Sequence, residues 1–290
     1  MDWDGDGMGE QSTMPAARGG APLTLRARKP GYAVMQECLA IQAEAPERSW
    51  WQRFVGRDPL HEDARSWYKG AQGERQVAAE LEALGPEFTV LHAVPIGKRS
   101  TDIDHLVVGP TGVFCINTKN HSGQDVWVGG RTFLVNGHRT PHVHRSVQEG
   151  ERATALLSAA AGGPIAVQPV IVVAAERVRF GEKAPAAVTL RPEQVGAWIA
   201  GLPRVHSDEA VRFLSMLAEE RGTWHVDAVV VHDTLRHVQR FERLERDIAA
   251  ATARRRLLRR GSVVAGLAVP AGALLGFWWA TAAAALAAAG

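Results

Sequence analysis

The chain has 290 residues, of which 46% are hydrophobic and 22% charged, and its formal net charge is +2. That much apolar material excludes wholesale disorder and suffices for one medium α/β domain with appendages, or two small domains. A charge so near zero says little about partners, because a neutral average can hide local patches. Cys38 and Cys115 lie far apart without CxxC spacing and read as reduced thiols, Cys115 as a small core residue within Val113–Ile116.

Residues 1–30 are rich in Gly, Asp, Ser and Pro and read as a disordered leader without the apolar core of a secretory signal. Residues 31–65 form an N-terminal helical or irregular extension with a helix around Val34–Ala43, then Trp50, Trp51 and Phe54, whose rings pack on the following domain or on lipid. A clearer helix begins near Gly70, with Val77, Leu81 and Leu84 at helical spacing and Gly85-Pro86 as its stop. Phe88–Leu91, Ile103–Val108 and Val113–Ile116 are short β-type runs, the last two joined by the turn Gly109-Pro110-Thr111-Gly112. Trp127-Val128 and Thr132–Val135 flank Gly129-Gly130 as a second hairpin. A helix over about Val143–Ala160, a strand over Val167–Val173, and helices near Pro192–Ala200 and Asp208–Arg221 complete an α/β unit over residues 66–225.

Residues 226–260 read as an amphipathic helix, with Leu235, Val238, Phe241, Leu244, Ile248 and Ala251 on one stripe that also suits a homodimer seam. It ends in Arg254, Arg255, Arg256, Arg259 and Arg260. Val263 to Ala289 is an uncharged apolar run of 27 residues. A bilayer span needs only about 20. The Arg cluster ahead of it predicts one transmembrane helix over 262–288 in the cell membrane, single-pass, with the main domain in the cytoplasm. A buried Ala-rich helix is the other reading of this stretch.

The chemistry concentrates in the first hairpin. With Val108 facing Val113, opposed residues sum to 221, so Asp104 falls opposite Asn117 and Asp102 opposite Lys119, with Cβ atoms about 5 Å apart. Strand alternation then gathers a carboxylate, an amide oxygen and an ammonium on one patch. Phosphodiester cleavage needs a divalent ion held by hard oxygens and a positive group beside the attacking water. Lys119 is one of only five lysines in a chain that otherwise uses Arg. Its movable point charge suits that position. The same spacing also fits a solvent-facing cross-strand ion pair, so geometry alone leaves both readings open. His138, His142 and His144, with Arg139 and Arg145, read as a basic or plainly solvated loop before a helix. No Cys lies near them to complete a zinc set.

Gly70-Ala71-Gln72-Gly73-Glu74-Arg75, Ile103-Asp104-His105, Gly109–Phe114, Asn117–Asn120 and Gly123 together resemble the nuclease-related domain family, NERD, which is similar in turn to the PD-(D/E)xK nucleases. The likeness covers about residues 66–180. It implies a restriction-endonuclease-like αβββαβ core with a mixed sheet, Mg²⁺ as cofactor and DNA or RNA as partner. It makes Asp104 the metal-binding aspartate, Lys119 the catalytic lysine, Glu74 an accessory acid, and Gln148 a helix glutamine facing the site. The family has an acid where this chain has Asn117. That amide oxygen can ligate Mg²⁺ without contributing charge, leaving Asp102 or Glu74 to supply a displaced carboxylate. A catalytically inactive domain that binds nucleic acid or protein at the membrane is the alternative.

Overall fold

The structure is a computed structural model that describes residues 25–96, 102–224 and 235–260. The anticipated membrane segment, 262–288, lies outside the described residues. Among those described, no helix is long and apolar enough to cross a membrane.

The elements are helices α1 (Tyr32–Ala43), α2 (Trp50–Phe54) and α3 (Arg65–Leu81); strands β1 (Thr89–Pro95), β2 (Asp102–Gly109), β3 (Gly112–Gly129), β4 (Thr132–Val135) and β5 (His138–Thr140); helix α4 (His142–Ala161); strands β6 (Val167–Phe180) and β7 (Val188–Leu190); and helices α5 (Pro192–Gly201), α6 (Asp208–Glu219) and α7 (Arg221–Trp224). Residues 235–260 are helical and form α8. β1, β2 and β3 are an antiparallel meander, and β6 runs parallel to β3 with β7 parallel beyond it. The sheet is therefore mixed. The order α3-β1-β2-β3-α4-β6 is the expected αβββαβ, with the β4–β5 hairpin inserted before α4.

β3 is the spine. It continues unbroken for 18 residues where the sequence pattern suggested two separate strands. Its near half pairs with β2, its far half pairs with β4, and β6 follows it along the other edge, with a register irregularity between His121 and Asp125.

Alternation along β3 divides the core. Phe114 and Ile116 join Val77 and Leu81 of α3 and Val195 and Ile199 of α5. Val113 and Cys115 join Ala153 and Leu157 of α4 and Leu214 of α6. Burial of each such aliphatic side chain contributes roughly 1.5–3 kcal/mol. α3 lies close because Gly73 has no side chain: a Cβ there would stand 3.0 Å from the Asn120 Cβ and 3.3 Å from the Thr118 Cγ2. Gly73→Val is expected to cost about 1–3 kcal/mol by overpacking and to lift Glu74, its neighbour, from its seat. A denaturant midpoint unchanged from wild type would contradict this.

Two expectations need correction. The leader does not reach residue 30: Leu25 is buried in the α4-side core, and Arg28 bonds to the Ala93 carbonyl and Asp102. An apolar anchor and a buried-side ion pair hold this segment in place. The stripe on α8 is also not free to serve as a dimer seam. Phe241 and Leu244 pack with Met35 and Cys38 of α1 and Tyr68 and Ala71 of α3, and Arg75 pairs with Glu245 at 2.6 Å. The chain itself covers the face that a second copy would need.

Candidate functional site

The β2–β3 ladder has the expected register, from Gly109↔Gly112 back to His105↔Ile116. It stops there, one residue short of Asp104. The β1–β2 ladder also skips this position, passing from His92↔His105 to Val94↔Ile103. Opposite the skip sits Ala93 with φ 50°, a left-handed conformation that costs an L-residue roughly 1–2 kcal/mol. Arg28 secures the kink by donating to the Ala93 carbonyl. Released from regular pairing, Asp104 turns its carboxylate to β3, where Oδ2 accepts the Thr118 N–H at 2.6 Å.

Around this gap the sheet changes from apolar to polar. Along β3, Val113 and Cys115 give way at every second residue to Asn117, Lys119 and His121. Along α4, read backward, Leu157 and Ala153 give way to Glu149, Ser146 and His142. The two rows meet. Asn117 Nδ2 donates to Glu149 Oε2 at 2.5 Å, and His121 Nε2 lies 3.2 Å from His142 Nε2. Asn117 is buried, and its Oδ1 has no hydrogen-bond partner; the Ser146 hydroxyl and His142 Nδ1 are likewise buried and unpartnered. Buried oxygens of this kind are normally satisfied, so the Asn117 oxygen is available to a donor or a cation.

The electrostatics point the same way. Burial raises the Asp104 carboxyl above its ordinary range, against the opposing pull of Lys119 and the Thr118 N–H. Burial raises Glu74 well above its ordinary value, with Asp104 adding to the effect and Lys119 opposing it. Burial also raises Glu149, which the Asn117 hydrogen bond opposes and Asp104 reinforces. Three acids crowd one poorly solvated region with Lys119 as a shared counter-charge. Burial, and then Lys119, push His142 down to about 3, while burial lowers His121 against the Gln124 hydrogen bond. Both imidazoles are therefore neutral at neutral pH.

Glu74 enters from α3, and its Oε2 accepts the Gly31 N–H at 3.1 Å. Its raised carboxyl makes a pH prediction. Below its ordinary value near 4.5 the folded and unfolded carboxyls are both protonated and the fold bears no penalty. As pH rises from that value toward the raised folded one, the unfolded carboxyl ionises while the folded one keeps its proton, so stability falls. Glu74→Gln keeps an acceptor for Gly31 and removes the penalty. The variant is expected to match wild type at pH 4 and to melt at progressively higher temperature than wild type as pH rises. A pH-independent gap would remove this account.

Asp104, Asn117, Lys119 and Glu74 thus share one electrostatic neighbourhood, and Asp102 adds its charge to the field at Asp104 and Glu74, but neither Asp102 nor Gln148 is placed as predicted. Asp102 is held by Arg28 at 3.2 Å, so it is no free ligand. Gln148 is exposed, and its neighbour Glu149 takes the inward position. Helical periodicity could have found it, since 149, 153 and 157 recur at four-residue steps on the stripe that buries Ala153 and Leu157. His138, His142 and His144 do not converge: His138 is exposed on β5, His144 approaches Arg131 at 3.5 Å, and His142 faces His121. Among the described residues, no three His, Cys, Asp or Glu side chains gather as a metal cage. Any cation here would therefore need the Asn117 oxygen as well as Asp104. The orphaned state of that oxygen fits such a role.

The rim is cationic. Lys69 and Lys119 act on His121, and Arg145 acts on His142 and Glu149. A surface cleft lined by Gln76, Ser122, Gly123 and Arg191 opens farther along β3, and a roomier one lies away from the site between Arg26, Glu87, Arg212 and Glu219.

A family model described as nuclease-related domain matches residues 69–174. An uncharacterized protein of Bacillus anthracis is 40% identical over 67 residues, which are 22% of this chain and 30% of that protein. The chain thus spans less than a third of the length of that curated relative. No solved structure matches it. The matched span holds Glu74, Asp104, Asn117, Lys119 and Glu149, the polar gap described above, so it is residues 69–174 that are similar to the nuclease-related (NERD) domain.

Proposed function

We propose that this domain is a metal-dependent phosphodiesterase acting on DNA or RNA, held at the cytoplasmic side of the cell membrane by residues 262–288. The observation that carries the catalytic reading is the buried, unpartnered Asn117 Oδ1, on the residue next to Thr118, whose N–H the Asp104 carboxylate accepts. Asp104 and Asn117 would hold Mg²⁺, and Glu149, bonded to Asn117, supplies from α4 the negative charge that position 117 lacks. When bound, the ion polarises a phosphoryl oxygen and lowers the pKa of water. Lys119 places its ammonium beside the scissile phosphate, and Lys69 and Arg145 attract the backbone to the rim. Support for the tether comes from the uncharged run after residue 262 and the Arg cluster before it.

The neutral amide at position 117 favours a second reading, a binding module that holds nucleic acid at the membrane without turnover. A calorimetric Mg²⁺ or Mn²⁺ titration of the protein, alongside incubation with DNA and RNA, separates the two. Metal binding with nicking is the expected result, and Asn117→Glu is expected to tighten metal binding by about tenfold or more, as an added carboxylate does for a hard cation. Salt-sensitive nucleic-acid binding with neither metal uptake nor cleavage in the wild type would select the module.

A further inference from the structure

Helix α2 carries an aromatic cluster that the nuclease-related domain does not use. Trp50, Trp51 and Phe54 are 68%, 56% and 57% exposed. The two indoles stack with centroids 4.5 Å apart, and Phe54 meets Trp51 edge-on at 5.5 Å. A capping box between Ser49 and Gln52 fixes this one-turn helix, so the rings stand outward on a defined support. Three adjacent large rings in water are unlike the scattered apolar residues of an ordinary soluble surface and mark an interaction site.

What lies beside them identifies the partner. α2 is seated on the end of α8: Arg254 donates to the Arg53 carbonyl at 3.0 Å, and a Cβ at Gly56 would stand 2.5 Å from the Ala251 carbonyl oxygen. Here α8 exposes Leu257 and Leu258 among Arg254, Arg256, Arg259 and Arg260. Neither Arg48–Arg57 nor Ile248–Arg260 contains an acid. Indole rings favour the headgroup level of a bilayer, and clustered arginines favour anionic lipid phosphates. The chain leaves this same corner into the uncharged run that starts at Val263.

We propose that the α2–α8 corner is a lipid-docking face, which places Trp50, Trp51 and Phe54 in the headgroup layer of an anionic bilayer and so sets the orientation of the nuclease-related domain above the membrane. It rests on the tether reading for the position of the bilayer and is independent of catalysis. The arginines supply attraction and the rings supply depth.

The test uses the full chain reconstituted in vesicles, with a polarity-sensitive dye on Phe54→Cys. Cys38 and Cys115 are buried and stay unlabelled under native conditions. Phe213→Cys, on α6, is the comparison site. The expected result is a blue shift and loss of iodide quenching at position 54 in vesicles containing phosphatidylglycerol, weaker in pure phosphatidylcholine, with position 213 still quenched. Trp50→Ser/Trp51→Ser is expected to restore quenching at position 54. A chain retained in the vesicles with position 54 fully quenched overturns the docking face alone; a chain that washes off in carbonate overturns the tether as well. Protection at position 54 in detergent without lipid would assign the cover to residues 261–290, and protection that grows with protein density would assign it to a second copy; either overturns lipid docking.

Discussion

Lys119→Ala is expected to reduce Mg²⁺-dependent cleavage by about 10²–10³-fold, the range for removing one preorganised charge or donor from a transition state. Lys119 is the cation common to Asp104, Glu74 and Glu149. Its ammonium also donates to the Thr118 carbonyl at 3.0 Å, which ties it to the residue whose N–H serves Asp104. Arg is not expected to replace it: a planar fork is larger, remains charged and does not adopt the compact geometry of an ammonium. Asp104→Asn is the companion variant. Its amide oxygen still accepts the Thr118 N–H, so the fold should persist while metal binding disappears. Calorimetry and a nicking assay on the same preparations check both. If Lys119→Ala cleaves at the wild-type rate, or Asp104→Asn still takes up metal, the catalytic reading fails.

Phe241→Ala is expected to be the most damaging single truncation outside the sheet, at about 3–5 kcal/mol. The ring is fully buried and lies 5.5 Å from Tyr68, in a cluster that also holds Met35, Cys38 and Ala71. It pins α8 to α1 and α3, and α3 carries Glu74. The loss should therefore appear as a lower urea midpoint and as faster hydrogen exchange over residues 235–260 before the sheet opens. Exchange that rises uniformly across the protein would show that α8 has no separate unfolding step.

The sequence alone determined the elements that local rules govern. Val77, Leu81 and the Gly85-Pro86 stop marked α3; Gly109-Pro110-Thr111-Gly112 set the β2–β3 register; the Gly129-Gly130 hairpin and the α8 stripe followed from turn chemistry and 3.6-residue periodicity. The same turn fixed the ladder only as far as His105 opposite Ile116; the expected pairing of Asp104 with Asn117 and of Asp102 with Lys119 lies beyond its end, and Asp104 meets β3 at the Thr118 N–H instead. Tertiary structure decided the rest. Glu149, and not Gln148, faces the site because α4 is rotated by the burial of Ala153 and Leu157. Asp102 is held by Arg28, 74 residues earlier, while its charge still acts on Asp104 and Glu74. Asp104 turns toward Thr118 because β1 kinks at Ala93, and nothing in a run of β-type residues announces a positive φ. The α8 stripe covers α1 and α3 within one chain. Periodicity states only that such a face will be buried, while the partner that buries it is chosen by long-range packing.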